Sequence, residues 1–350
     1  MKRLAALLLC LALQPLCAAG VQKETVKGKT GSELDAFLTA LSRDGYSGSV
    51  LVARKGEIIL HKGYGLADRE RGIANTATTL FNVASVGKLF TAAAILQLEA
   101  KGKLKTSDLL SKHLGAFPKE KSEATIHHLL THTAGLVPDG TQLDFSSRKA
   151  FIQSVKDVPA ESKPGEKYRY TNAGYTLLAA IVEEVSGLPF ESYLQRNIFD
   201  PAGLTSTGFA WDSRFNRSPV AVGYQGKKLA ELKAVPPQND VWGARGPGNL
   251  VTTVGDLYQW TQALRNNVVL AEAARKKMLT AYVGDEGYGW HIVKTARGTT
   301  LARKGGGRPE FESEARWYLD EDVVVLFTIN NHMGFRVPIS EGIERIIWNK

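Results

Sequence analysis

The sequence predicts an α+β fold in which an antiparallel sheet, assembled from both ends of the chain, is flanked by helices and interrupted by an inserted helical region. Three observations carry this. Residues 47–65 alternate apolar and polar with period two, and further strand-like segments fall between 288 and 329. Between these stretches the apolar residues recur at helical spacing. The chain has 350 residues, 43% hydrophobic and 23% charged, a globular balance that excludes a disordered, collagenous or disulfide-scaffold protein.

Residues 47–65, SGSVLVARKGEIILHKGYG, alternate around Lys55-Gly56 and predict a β-hairpin with one buried face. Residues 85–100 predict a helix, with Leu89, Ala92, Ala93, Leu96 and Ala100 on one side and Gly102 ending it. Residues 172–186 predict another, ended by Gly187-Leu188-Pro189, and residues 256–265 and 339–348 two more. Residues 288–293, 301–303, 311–318 and 323–329 read as strands, and residues 215–249 as a long loop over the domain junction. Segregated strands at both ends place one sheet subdomain at about 21–80 and 280–350, with a helical subdomain and junction at about 81–279. A site belongs between the two.

Residues 1–20 have the pattern of a secretory signal peptide: Lys2 and Arg3, an apolar run from Leu4 to Leu13, and the small-residue stretch Cys17-Ala18-Ala19-Gly20. The expected location is periplasmic or secreted. Both cysteines, Cys10 and Cys17, fall within this segment, so the chemistry of the remainder must come from Ser, His, Lys, Tyr or carboxylates. No later run approaches the roughly 18 apolar residues of a membrane helix.

The chain carries 44 Lys and Arg against 35 Asp and Glu, a net charge of +9. Loss of Lys2 and Arg3 with the signal leaves 42 against 35, or +7. Basic clusters such as Lys101-Lys103-Lys105 and Arg275-Lys276-Lys277 lie among acids with no interleaved aromatics, so no nucleic-acid partner is expected. The histidines at 113, 127, 128 and 132 fall close together in sequence; zinc would need their side chains to converge with outer support. Gly63-Tyr64-Gly65-Leu66 lacks the third glycine and following helix of a dinucleotide fingerprint.

Three short motifs carry chemistry. Ser85-Val86-Gly87-Lys88 opens the first helix, where a three-residue spacing brings the Lys88 amine within reach of the Ser85 hydroxyl. A lysine desolvated at the floor of a cleft can accept the serine proton, and the helix N-terminus favours the negative charge formed on attack. Tyr170-Thr171-Asn172 opens the second helix; a tyrosine among cations can accept and return a proton, and the Asn172 amide can bind an acyl carbonyl. In Lys304-Gly305-Gly306-Gly307, a glycine-rich backbone allows close substrate approach and Lys304 can attract a carboxylate.

In order and spacing these motifs resemble the serine β-lactamase and penicillin-binding-protein family, in its class C branch with D-aminopeptidase and esterase relatives. Further stretches similar to that family are residues 81–85 (FNVAS), 126–136 (IHHLLTHTAGL), 170–175 (YTNAGY) and 248–253 (GNLVTT). The resemblance implies a β-lactamase/transpeptidase-like fold, catalysis by Ser85, Lys88 and Tyr170, and substrate binding by Asn172, Lys304, Gly306 and Gly307. It implies an acyl-enzyme on Ser85, an oxyanion held by the Ser85 and Gly307 backbone N–H groups, and release of the acyl group by water. It also implies that the histidine-bearing stretch is structural, so no metal or cofactor is expected.

Two departures bear on the substrate. The best-studied β-lactamases have Lys-Thr-Gly at the third motif; here Gly305 lacks the hydroxyl, a deficit of roughly 0.5–1.5 kcal/mol toward a substrate carboxylate. Many esterase relatives have His in place of Lys304, so Lys304 leans the other way. Arg308-Pro309-Glu310-Phe311 stands where relatives often have Pro-Gly-Phe, and Glu310, Glu312 and Glu314 are expected to share one strand face, solvated or, if it borders the cleft, suited to an amine-bearing substrate. The expected function is hydrolysis of a β-lactam or a D-amino-acid peptide amide bond, with a small-molecule or peptidoglycan-like substrate. A carboxylesterase and a non-catalytic sensor of peptidoglycan or a partner are the alternatives; an intact Ser85, Lys88 and Tyr170 speaks against the sensor.

Overall fold

The computed structural model describes residues 23–137, 143–215, 220–226, 228–236 and 240–348. The segment read as a signal, residues 1–20, lies outside the described residues, as do parts of the stretch 215–249.

The seven strands of the main sheet are β1 (Thr25–Val26), β2 (Gly48–Arg54), β3 (Glu57–Tyr64), β4 (His291–Lys294), β5 (Thr300–Gly307), β6 (Glu312–Tyr318) and β7 (Val323–Ile329). Their spatial order is β1-β3-β2-β7-β6-β5-β4 and every pairing is antiparallel. The expected hairpin is β2 and β3. Lys55 and Gly56 both have positive φ, 52° and 78°, as the tight turn matching strand twist requires.

Five helices build the layers around the sheet: α1 (Gly28–Arg43), α2 (Lys88–Ala100), α3 (Asn172–Ser186), α4 (Val254–Arg265) and α5 (Arg336–Trp348), with α3 packed on α2 and not on the strands. Strand β7, VVVLFTI, is buried at every position because helices cover both its faces. Val323, Val325, Phe327 and Ile329 pack with Leu34 and Leu38 of α1 and Ile339, Ile343 and Ile347 of α5. Val324 and Leu326 face the other way, into the core shared with α2, α3 and α4. Two-sided cover explains why this strand reads as a continuous apolar run. Helix α2 is buried nearly all round, as its high apolar content requires, and Phe90 packs against Trp260 of α4 with ring centroids 4.7 Å apart.

Four expectations need correction. The predicted helix 85–100 begins as a tighter 3₁₀ turn, Ala84–Gly87, and becomes α-helical only at Lys88. The strand expected at 288–293 is His291–Lys294 instead: Gly289 has φ 82°, and the bend wedges buried Tyr288 and Trp290 into the core. The stretch 215–249 is not all loop, since Gly223–Gln225 pairs with Lys233–Val235, and Tyr224 N–H donates to Asn330 O at 2.9 Å. Glu310, Glu312 and Glu314 do not form a solvated face. All three are buried, and Glu310 precedes the strand. Arg308 pairs with Glu310 at 2.9 Å and Arg316 with Glu314 at 3.5 Å, so nearby arginines offset the desolvation that α5 and its neighbours impose. Burial pushes the Glu314 carboxyl up, with Arg316, Arg336 and Arg303 opposing.

Candidate active site

The segment leading to Ser85 is clamped from two sides. Phe81–Asn82 pairs with Leu250–Thr252 in a small three-stranded sheet, and Val83 N–H donates to Leu250 O at 3.0 Å. From the main sheet, the Ser313 hydroxyl donates to Val83 O at 2.8 Å. Ala84 then takes φ 44°, left-handed backbone that costs a non-glycine residue about 1–2 kcal/mol. Its N–H donates to Asn82 Oδ1 at 2.9 Å, which helps hold the turn that presents Ser85.

The structure brings Ser85, Lys88, Tyr170 and Asn172 together. Lys88 Nζ donates to Ser85 Oγ at 3.1 Å, to Asn172 Oδ1 at 2.6 Å and to Pro247 O at 3.1 Å. Tyr170 Oη donates to the same Ser85 Oγ at 2.8 Å. One hydroxyl thus touches two groups able to take its proton, one from the same turn and one from a segment 85 residues away. Asn172 is the first residue of α3, and its cap is Thr171, whose hydroxyl accepts from Gly174 N–H at 3.4 Å.

Lys304 is 1% exposed and lies behind Tyr170, its Nζ 5.3 Å from the ring centroid; Lys88 Nζ is 4.9 Å from the same ring. The tyrosine ring therefore lies beside two buried lysine amines. Burial pushes the Lys304 amine below its ordinary value, with Glu286 and Glu314 opposing.

Beyond Arg303, β5 has no further pairing with β4, so one edge of residues 304–307 faces the Ser85 turn. A Cβ at Gly306 would stand 2.2 Å from Val83 O, 2.5 Å from Ser313 Oγ and 3.1 Å from Ser85 N. Gly306 is thus required for close approach of strand to nucleophile, whereas a Cβ at Gly307 would meet nothing within 4 Å. Gly305 faces the opposite side of the sheet, where a Cβ would lie 2.8 Å from Arg336 Nη1 and 2.9 Å from Glu314 Oε2. A threonine at 305 would have to displace both side chains.

The cleft in front of Ser85 has a volume of about 480 Å³. Ala84, Phe145, Val241, Gly243, Pro247 and Gly248 give it small and apolar walls, Asn172 and Gly307 also line it, and Arg308 brings the charge. Asn249 Oδ1 accepts from Arg308 Nη1 at 2.7 Å, and Glu310 Oε1 from its Nε at 2.9 Å.

Sequence reasoning missed Ser313, Arg308, and a layer behind Tyr170 made by His132, Glu286, His291 and Tyr168. His132 lies in the 126–136 stretch that resembles the family, but nothing local gives it a place behind Tyr170; its positive φ, 57°, marks it as held at a cost, and φ is not readable from sequence. Burial holds the His132 ring well below its ordinary value, with the charges of Lys304 and Lys88 adding to this. Burial, then Lys304 and Arg303, brings His291 down to about 4. Burial pushes Glu286 up, opposed first by Lys304. No group of three or more His, Cys, Asp or Glu able to hold a metal ion occurs among the described residues. Nor is any described helix long and apolar enough to cross a membrane.

A beta-lactamase family model matches residues 34–336. PbpX of Bacillus subtilis (strain 168) is 35% identical over 274 residues, covering 74% of this chain and 68% of that protein. Penicillin-binding protein 4* of the same strain is 28% identical over 342 residues, covering 90% of this chain and 75% of that protein. The crystal structure of FmtA from Staphylococcus aureus superposes with a TM-score of 0.82 at 25% identity, covering 93% of this chain and 89% of that one.

Proposed function

This chain belongs to the beta-lactamase family, and we propose that it is an exported serine hydrolase that cleaves a β-lactam or a D-amino-acid peptide amide bond through an acyl-enzyme on Ser85. Residues 1–20 act as the export signal, and the cleft lies where the sheet subdomain meets the helical one. The observation that carries the reading is the double contact of Ser85 Oγ with Lys88 Nζ and Tyr170 Oη at the floor of a 480 Å³ cleft.

Ser85 Oγ attacks the acyl carbon as its proton passes to the Lys88 and Tyr170 pair, a general-base contribution of about 10²–10⁴-fold. The carbonyl oxygen gains the negative charge and is held by the Ser85 and Gly307 backbone N–H groups. Asn172, already fixed by Lys88, orients the acyl side chain. Tyr170 returns the proton to the leaving nitrogen as the C–N bond breaks. Water then attacks the ester carbon by the same route in reverse, restores the Ser85 hydroxyl and frees the acid.

The cleft walls and the relatives support this substrate class. Apolar walls suit an acyl portion with little charge, and Arg308 at the cleft suits a carboxylate near the scissile bond. Penicillin-binding protein 4* is, by name, a protein that binds penicillin, a β-lactam with such a carboxylate. Arg308→Ala is expected to raise KM about 10-fold or more for a chromogenic cephalosporin or a D-alanyl-D-alanine peptide, as loss of a charge-assisted hydrogen bond of about 1.5–3 kcal/mol requires. Hydrolysis of p-nitrophenyl acetate, which has no carboxylate, should be unchanged in the same variant. Steady-state kinetics on the three substrates check this; equal effects on all three would favour the esterase reading.

A further inference from the structure

Behind Tyr170 lie two buried residues, His132 and Glu286, that the acyl-transfer steps leave unused. His132 grips the chain on both sides of the tyrosine: its carbonyl accepts from Arg169 N–H at 2.8 Å, and its ring Nδ1 accepts from Thr171 N–H at 3.3 Å. The two rings lie against each other with centroids 4.4 Å apart. Because Nδ1 accepts, the neutral ring carries its proton on Nε2. That atom points toward Glu286 Oε1, 3.8 Å away, and both atoms are buried with no hydrogen-bond partner. An unpartnered donor and acceptor facing each other in a closed interior are costly to leave apart, so this pair is poised to close.

Glu286 is also the carboxylate set against the two lysines of the site. Groups face it from every neighbouring element: His132, Tyr168 Oη at 3.1 Å, His291 Nδ1 of β4 at 3.2 Å, Lys304 of β5, Lys88 of α2 and Tyr175 of α3. The charges of Lys304 and Lys88 oppose the upward push of burial on its carboxyl. Lys304 is in turn one of the two lysines beside the Tyr170 ring.

We propose that Glu286 is a positioning residue that, through His132 and Lys304, fixes Tyr170 and supplies the counter-charge setting the pH at which Tyr170 and Lys88 exchange protons with Ser85. The inference rests on the acyl-transfer reading of Ser85. Removing a buried negative charge lowers the pH at which every neighbouring group loses its proton, whereas removing a merely structural contact does not.

The test is the rate at which Ser85 is labelled by an alkyl fluorophosphonate between pH 5 and pH 10, in the parent protein, Ser85→Ala, Glu286→Gln and Glu286→Asp, with thermal unfolding as the check on folding. In Glu286→Gln the maximum rate is expected to fall about ten-fold and both limbs of the profile to move about one unit lower. Glu286→Asp, which keeps the charge, should keep the parent's limbs. Limbs of Glu286→Gln that superimpose on the parent's overturn the inference and leave the Ser85 reading intact. Labelling of Ser85→Ala at the parent's rate overturns that reading and the inference with it. Should Glu286→Gln fail to fold, nitrogen-15 NMR of the parent's His132 decides. A neutral ring protonated on Nε2 throughout the range supports the account, and a ring protonated on Nδ1 overturns it.

Discussion

Lys88→Met is expected to lower kcat/KM by about 10³-fold, the middle of the range for loss of a positioned general base. Methionine fills most of the volume of the fully buried lysine but offers no amine to Ser85 Oγ. It also removes the hydrogen bonds that Lys88 Nζ gives to Asn172 Oδ1 and Pro247 O, at about 0.5–1.5 kcal/mol for each. The variant should therefore unfold at lower temperature as well. The two effects separate when kcat/KM is measured at a temperature where circular dichroism shows the variant fully folded. A loss that disappears there would mean that Lys88 acts only through stability. Tyr170→Phe, which keeps the ring against His132 and removes only the hydroxyl, should cost activity with little change in stability. The pair therefore assigns the loss to the groups touching Ser85 Oγ.

Gly306→Ala is expected to remove activity by more than about 100-fold and to destabilise the fold by about 1–3 kcal/mol, the usual range for overpacking. The new methyl would stand 2.2 Å from Val83 O. This is a backbone atom of the Ala84–Gly87 turn's entry and cannot step aside without moving Ser85. Gly307→Ala is the matched control, because its Cβ meets nothing within 4 Å and the fold should be unaffected. Unfolding midpoints and kcat/KM for both variants check the contrast. Equal behaviour of the two would show that the approach of β5 to the Ser85 turn is not what the glycines provide.

Legibility in the sequence followed the range of the interactions. The β2–β3 turn is written locally in Lys55-Gly56, and the limits of α3 in a cap at one end and Gly187 at the other, so both were readable. The β7 strand was readable because its two-sided burial leaves a run of seven residues with no charge. The Ser85 and Lys88 pairing was readable because three residues of helical turn fix it. The order of motifs brought in Tyr170, although nothing local places it 2.8 Å from Ser85.

What was not readable depends on contacts between distant segments. Ser313 is one serine among many until β6 is known to pass beside Val83. Glu312 and Glu314 alternate like a wetted face, and only the cover of α5 and the presence of Arg316 and Arg336 make them interior. His132 and Glu286 lie far apart in sequence, and no local pattern brings them within 3.8 Å of each other. Charged residues inside a fold leave no periodic trace, because their partners and not their neighbours decide where they go.

Acylation of Ser85 is tested by mass spectrometry of the protein after incubation with benzylpenicillin. A mass increase equal to one whole penicillin, located on the peptide that contains Ser85 and absent from Ser85→Ala, is the predicted result. An unmodified parent protein that turns over the penicillin or an activated ester no faster than Ser85→Ala would contradict it.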